Sequence, residues 1–163
     1  METYTTDYLV VGKRERNQLL KKCVSLIKEF EFFDTIAFSG NSGSLMSFPL
    51  AHRLNKEIIV VRKPREVESA HSFSKIEGVV PFKKRIVIVD DFVSMGKTIR
   101  YIVNTIKEED KKNKLDGEIS ESGIVTCQFV GILLYNQEFS CTSDCINDLD
   151  IDIVNFKIPG TPC

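Results

Sequence analysis

Two carboxylates, Asp90 and Asp91, stand side by side after the apolar run Ile86-Val87-Ile88-Val89, and Phe92-Val93-Ser94-Met95-Gly96-Lys97-Thr98-Ile99 follows. The run is fully β-branched, as a central parallel strand buried on both faces should be. In open α/β sheets, ligands bind outside the carboxyl ends of such strands. The next residues read as a short loop and the start of a helix, whose unpaired N–H groups and positive dipole end suit a phosphate. Gly96 lets backbone approach an anion closely, and Ser94 and Thr98 add hydroxyl donors. Adjacent carboxylates repel phosphate, so Asp90 and Asp91 should face sugar hydroxyls or the water shell of a metal ion. Gly96-Lys97-Thr98 also looks like the end of a P-loop. That motif needs a glycine five positions before Gly96, where Asp91 stands, which excludes a nucleoside-triphosphatase reading.

A second small-residue segment, Ser39-Gly40-Asn41-Ser42-Gly43, follows the short apolar run Thr35-Ile36-Ala37-Phe38 and reads as a strand and loop. A third group of interest is Arg62-Lys63, cations at the end of the strand candidate Ile58-Ile59-Val60-Val61. From Arg62 to Pro81 the chain is polar and irregular. A loop of that length inside a compact domain is commonly a mobile active-site element. It contains His71, whose side chain could titrate near neutrality.

The elements that must position these residues are legible as periodicities. Arg14 to Glu31 reads as an amphipathic helix through Leu20, Cys23, Val24, Ile27 and Phe30. Ser44 to Leu54 reads as a second helix, in which Pro49 either kinks the helix or marks a late start near Ser47. Met95 to Lys111 forms a third, with Ile99, Ile102, Val103 and Ile106 on one face and a solvated, charged end. Strand regions at Ile124 to Tyr135 and Ile151 to Ile158 complete the order. Alternation of this kind predicts an α/β fold, a parallel sheet with helices on both faces. No repeat or linker divides the chain, so residues 1–163 read as one domain.

Composition narrows the function classes. With a formal net charge of -1, the chain carries no electrostatic footprint for nucleic acid or an anionic membrane. No apolar run approaches a membrane span, and Met1 to Lys13 has no signal-peptide core, so a cytoplasmic protein is expected. Five scattered cysteines are an odd number and read as free thiols. Cys141 and Cys145 make half of a zinc site, but no second pair stands near them, and tetrahedral zinc needs four ligands.

The Ile86 to Ile99 segment resembles the 5-phosphoribosyl pyrophosphate (PRPP) signature of the type I phosphoribosyltransferases. That signature is an apolar strand, two acidic residues and a loop usually ending Thr-Gly-Gly-Thr or Thr-Gly-Lys-Thr. Asp90, Asp91, Gly96, Lys97 and Thr98 match, whereas Met95 stands where the family usually has Thr. Phe38 to Leu54 is similar to the family's pyrophosphate loop and following helix. Phe33-Asp34-Thr35-Ile36, Leu50-Ala51-His52-Arg53-Leu54 and Val60-Val61-Arg62-Lys63-Pro64 look like its adenine branch. The resemblance covers residues 14–135. It implies the Rossmann-like phosphoribosyltransferase fold, with a lid at 62–81; beyond Tyr135 there is no resemblance, and 136–163 reads as a small hood or tail that would select the base.

By that resemblance, Asp90 and Asp91 hold the ribose hydroxyls, and Ser94, Met95, Gly96, Lys97 and Thr98 cradle the 5-phosphate. Gly40, Asn41 and Ser42 meet the pyrophosphate through backbone N–H groups, and Lys63 and Arg62 offset its charge. Mg²⁺ arrives mainly with PRPP, touching Asp90 and Asp91 indirectly. The implied reaction is transfer of 5-phosphoribose to a purine base such as adenine, with pyrophosphate released, in a homodimer. Pyrimidine acceptors stay open. So does a different class of function, a PRPP- or nucleotide-sensing module without turnover, which Met95 and the unfamiliar tail favour. Intact Asp90, Asp91 and Lys63 favour the enzyme.

Overall fold

The β-branched runs 58–61 and 86–89 form two strands of the sheet. The computed structural model of the chain describes residues 12–30, 32–64, 74–93, 95–115, 127–135 and 146–155. Within them lie six strands: β1 (Thr35–Phe38), β2 (Glu57–Val61), β3 (Ile76–Gly78), β4 (Arg85–Asp90), β5 (Gln128–Leu134) and β6 (Ile153–Asn155). Three helices accompany them: α1 (Lys13–Ile27), α2 (Gly40–Leu54) and α3 (Lys97–Leu115). The strands form one sheet in the order β3-β2-β1-β4-β5-β6. All neighbours are parallel except β3, which pairs antiparallel with β2 at the edge.

The side chains of β4 alternate between two cores. Ile86 and Ile88 pack with Ile99, Ile102, Val103 and Ile106 of α3. Val87 and Val89 face the other way, against Cys23 and Ile27 of α1 and Met46, Leu50 and Ala51 of α2. Both faces of β4 are therefore dry, which is why its sequence shows no polar alternation. The 99/102/103/106 spacing forms the buried stripe of α3 as its period predicts.

Three local readings need correction. The segment Ser39 to Gly43 is not a free loop: α2 begins at Gly40, with Ser39 at its N-cap position. Of the two alternatives for Pro49, a late start near Ser47 is excluded: it lies inside the helix, forgoing a hydrogen bond to the Leu45 carbonyl. Tertiary packing overrides loop-like composition here. A Cβ on Gly43 would lie 2.7 Å from the Phe38 Cβ and 3.1 Å from the Val89 carbonyl oxygen, so only glycine lets the helix start so close to the strand ends. Lastly, the segment expected to be an irregular lid contains β3, whose residues Ile76, Glu77 and Gly78 pair with Val61, Val60 and Ile59. Residues 65–73 of that segment, with His71, lie outside the described residues, as do Cys141 and Cys145. So does the tail expected to select the base, except for 146–155.

Candidate active site

The sheet order reverses between β1 and β4. The chain leaves β1 through α2 to reach β2 on one side, while β4 pairs with β1 on the other. Such a switch point opens a crevice at the carboxyl ends of the two strands. Here a cleft of about 260 Å³ lies there, lined by Ser39 and Ser42 after β1, Lys63 after β2, Asp90 at the end of β4, and Asp91 and Met95 to Thr98 after it. Phe92, Val93 and Ile99 line the remainder. Three segments, far apart in sequence, thus converge on one cavity.

Asp90 and Asp91 are both buried, at 6% and 7% exposure. The Asp91 N–H donates to Asp90 Oδ1 at 3.0 Å, and the Phe92 N–H donates to Asp91 Oδ1 at 3.0 Å. These bonds fold the chain back at the strand end and hold both carboxylates at the cleft. Burial, then the negative charge of Asp91 and a hydrogen bond with it, push the Asp90 carboxyl well above the ordinary carboxylate range. The Asp91 backbone N–H and the Lys63 ammonium oppose that shift.

One wall of the cleft is built from Met95 to Thr98. Gly96 has φ 68°, a left-handed conformation that glycine adopts without strain, and α3 begins at the next residue. Lys97 is exposed and Thr98 half-buried, while Met95 stands 61% exposed at the mouth. Ser94 lies outside the described residues.

The opposite wall is the first turn of α2. Gly40 has φ 69°, and a Cβ built on it would lie 2.9 Å from the Lys63 ammonium nitrogen. The lysine therefore lies across the start of the helix, adding charge to its positive dipole end. Ser42 lines the cleft. Asn41 is exposed, its carbonyl accepting a 2.7 Å hydrogen bond from Ser44 Oγ. Arg62 is placed differently. Its guanidinium pairs with Glu77 of β3 at 3.3 Å, and its side chain does not line the cleft. The carbonyl of Arg62 accepts a 2.9 Å hydrogen bond from the Tyr101 hydroxyl, which ties the end of β2 to α3.

Two further side chains contribute in ways their residue types did not specify. Ser39 Oγ is buried beside the cleft and has no hydrogen-bond partner among the described residues. A serine at an N-cap position is an ordinary signal for capping, yet its side chain does not cap α2. Tyr135 is the other. It is buried in the core beside α2. Its hydroxyl donates to the Ser42 carbonyl, and its backbone N–H donates to the Asp90 carbonyl at 3.1 Å.

No three His, Cys, Asp or Glu side chains gather to hold a metal ion among the described residues. Two adjacent carboxylates at the edge of a cleft suit a hydrated cation that takes its other ligands from a bound phosphate, as Mg²⁺ does. Among the described residues, no helix is long and apolar enough to cross a membrane.

No family model matches the chain. It is 29% identical over 102 residues to an orotate phosphoribosyltransferase of Rhizobium rhizogenes, covering 61% of this chain and 43% of that protein. It is 27% identical over 95 residues to an adenine phosphoribosyltransferase of Petrotoga mobilis, covering 51% and 54%. The chain thus spans about half the length of the curated relatives it matches. Among solved structures, it superposes on an adenine phosphoribosyltransferase from Thermoanaerobacter pseudethanolicus with a TM-score of 0.58 and 24% identity, covering 88% of this chain and 79% of that one. An orotate phosphoribosyltransferase from Aeropyrum pernix gives 0.62 and 17%, covering 88% and 71%.

Proposed function

Proceeding from the type I phosphoribosyltransferase fold that this chain shares with its structural neighbours, we propose that it transfers 5-phosphoribose from PRPP to a nucleobase and releases pyrophosphate. The observation that carries the reading is the convergence of a buried acidic pair, a helix start with Gly96, and a second helix start crossed by Lys63 on one cleft.

Each wall then has a task. Asp90 and Asp91 accept hydrogen bonds from the ribose hydroxyls, which fixes the sugar and keeps their charge away from the phosphates. The backbone N–H groups at Gly96 to Thr98, with the Thr98 hydroxyl, hold the 5-phosphate at the α3 dipole. The N–H groups of Gly40 to Ser42, with Lys63, receive the pyrophosphate. As the bond to pyrophosphate breaks, positive charge develops on the sugar and negative charge on the leaving group, so a fixed cation there favours the transition state. Mg²⁺, carried in by PRPP, would neutralise part of the pyrophosphate charge. Asp90 and Asp91 are the residues that would meet its water shell. Arg62 sets the edge of the site through Glu77 rather than by touching the substrate.

The acceptor we propose is a purine, adenine foremost. The adenine-like segments at 33–36, 50–54 and 60–64 support it, and the orotate relative makes pyrimidines the competing outcome. Pyrophosphate release should be measured with PRPP, Mg²⁺ and adenine, hypoxanthine, guanine, orotate or uracil in turn. Turnover with adenine alone supports the full reading, and turnover with orotate moves the acceptor to pyrimidines. Release with none of the bases leaves the transferase reading without support. The resemblance also supports a cytoplasmic homodimer, which sedimentation and fractionation would test.

One observation favours a second reading, a PRPP-binding regulator. Met95 places an exposed thioether where a hydroxyl donor would help hold the phosphate. Met95→Thr should then tighten PRPP by roughly threefold to tenfold in titration calorimetry, the worth of one neutral hydrogen bond. A loss of affinity would mean that Met95 packs in a loop of different shape.

A further inference from the structure

We propose that Tyr135 is a positioning residue that sets the separation between the two halves of the cleft. This rests on the reading above, in which the ribose and pyrophosphate of one substrate occupy opposite walls. Tyr135 follows β5, and its two polar groups reach both walls. Its backbone N–H holds the carbonyl of Asp90, and its hydroxyl holds the carbonyl of Ser42. Between those contacts the ring is buried in the core shared by α1 and α2, at 6% exposure, so it is a rigid spacer.

The wall at α2 needs such a spacer. The first turn has no side-chain cap, since Ser39 makes no hydrogen bond to it. It also contains Gly40 and Gly43, which have no side chains to anchor it and the most backbone freedom of any residue. The Ser44 hydroxyl bonds only within the turn, to the Asn41 carbonyl. The Gly43 backbone packs closely on the Val89 carbonyl of β4, which limits how near the turn can come; a directional bond from outside fixes where along β4 it rests. A drift of even 1 Å matters when a sugar on one side and its leaving group on the other must be held together. The Tyr135 hydroxyl supplies the fixed point, and it reaches the turn through backbone, so no side chain of Ser42 is consumed.

Tyr135→Phe keeps the ring and its packing while removing the tether. Titration calorimetry with Mg²⁺ present should compare PRPP, pyrophosphate and ribose 5-phosphate on the wild-type and variant proteins. Ribose 5-phosphate touches only the β4 side. The expected result is about a tenfold loss of affinity for PRPP and pyrophosphate, the worth of one well-placed hydrogen bond, with ribose 5-phosphate unchanged. In turnover, KM for PRPP should rise while KM for the base holds. Amide exchange at Ser44 to Ser47 should quicken in the variant, with α3 unaffected. Equal weakening of all three ligands would reduce Tyr135 to a general packing role and overturn the proposal, as would no weakening of any. A wild-type protein that binds none of the three would instead remove the reading of the cleft itself, and the spacer with it.

Discussion

Asp90 is buried beside a second carboxylate, and that costs the fold something. Its carboxyl holds its proton more tightly in the folded chain than in the unfolded one. In the pH window above the ordinary carboxylate value, the folded state therefore carries more protons, and stability falls as pH rises through that window toward the raised folded value. Asp90→Asn has no proton to lose. Thermal melts of the ligand-free protein from about pH 4 to about pH 8 should show a decline in the wild type and a flatter profile in the variant, which melts higher at the alkaline end. A steeper decline in the variant would contradict the account. Cys23 is shifted the same way. Burial pushes its thiol up to about 12, so almost no thiolate exists at ordinary pH. Iodoacetamide at about pH 8 should leave Cys23 unlabelled in the folded protein and label it after denaturation. At this scale much of the cleft was legible, because Asp90, Asp91, Gly96 and Thr98 lie in one continuous stretch whose residue types have few other uses. Arg62 was not. Its partner, Glu77, is brought to it by a strand of three residues with the unpromising sequence Ile-Glu-Gly.

Elements show the same division between local and non-local causes. The strands β1 and β4 are apolar runs buried on both faces, β2 is a β-branched run with Ile59 and Val61 buried, and α3 carries a clean apolar stripe. That stripe is a measurable support of the site, since α3 begins where the phosphate is proposed to sit. Ile102 is fully buried in the core between α3 and the sheet. Ile102→Ala should cost about 3 kcal/mol, within the range for deleting a buried aliphatic side chain. Urea unfolding would check it, and a loss below about 1 kcal/mol would mean that the core relaxes into the space. The start of α2 was misread for a physical reason. Ser-Gly-Asn-Ser-Gly is loop-like by composition, and only the contact of Gly43 with Phe38 and Val89, 46 residues apart in sequence (89 − 43), makes a helix of it. The edge strand β3 likewise exists through its pairing with β2, a fact its own three residues do not encode.

For the whole molecule, the fold class followed from the alternation of helix and strand, whereas the order of the strands did not. That order is what brings residues near 40, 63 and 90 to one cleft. A ligand bridging them should stabilise the folded state by linkage. At a concentration 100 times its dissociation constant, PRPP with Mg²⁺ should add about 2.7 kcal/mol, or roughly 5–10 °C in melting temperature. Scanning fluorimetry with millimolar PRPP would detect it, and an unchanged transition would leave the cleft without its proposed ligand. The reversal at the sheet's centre also bears on how the chain reaches this state. Thr35 pairs with Ile86, 51 positions later (86 − 35), so the central seam of the sheet closes only after a long stretch of chain has been gathered. Non-local pairing of this sort is kinetically slow, on the order of milliseconds to seconds for two-state domains. During synthesis, β1 and β2 would emerge with one flank of β1 unpaired and apolar. That exposed edge would be the natural point of chaperone capture or misassembly until β4 arrives.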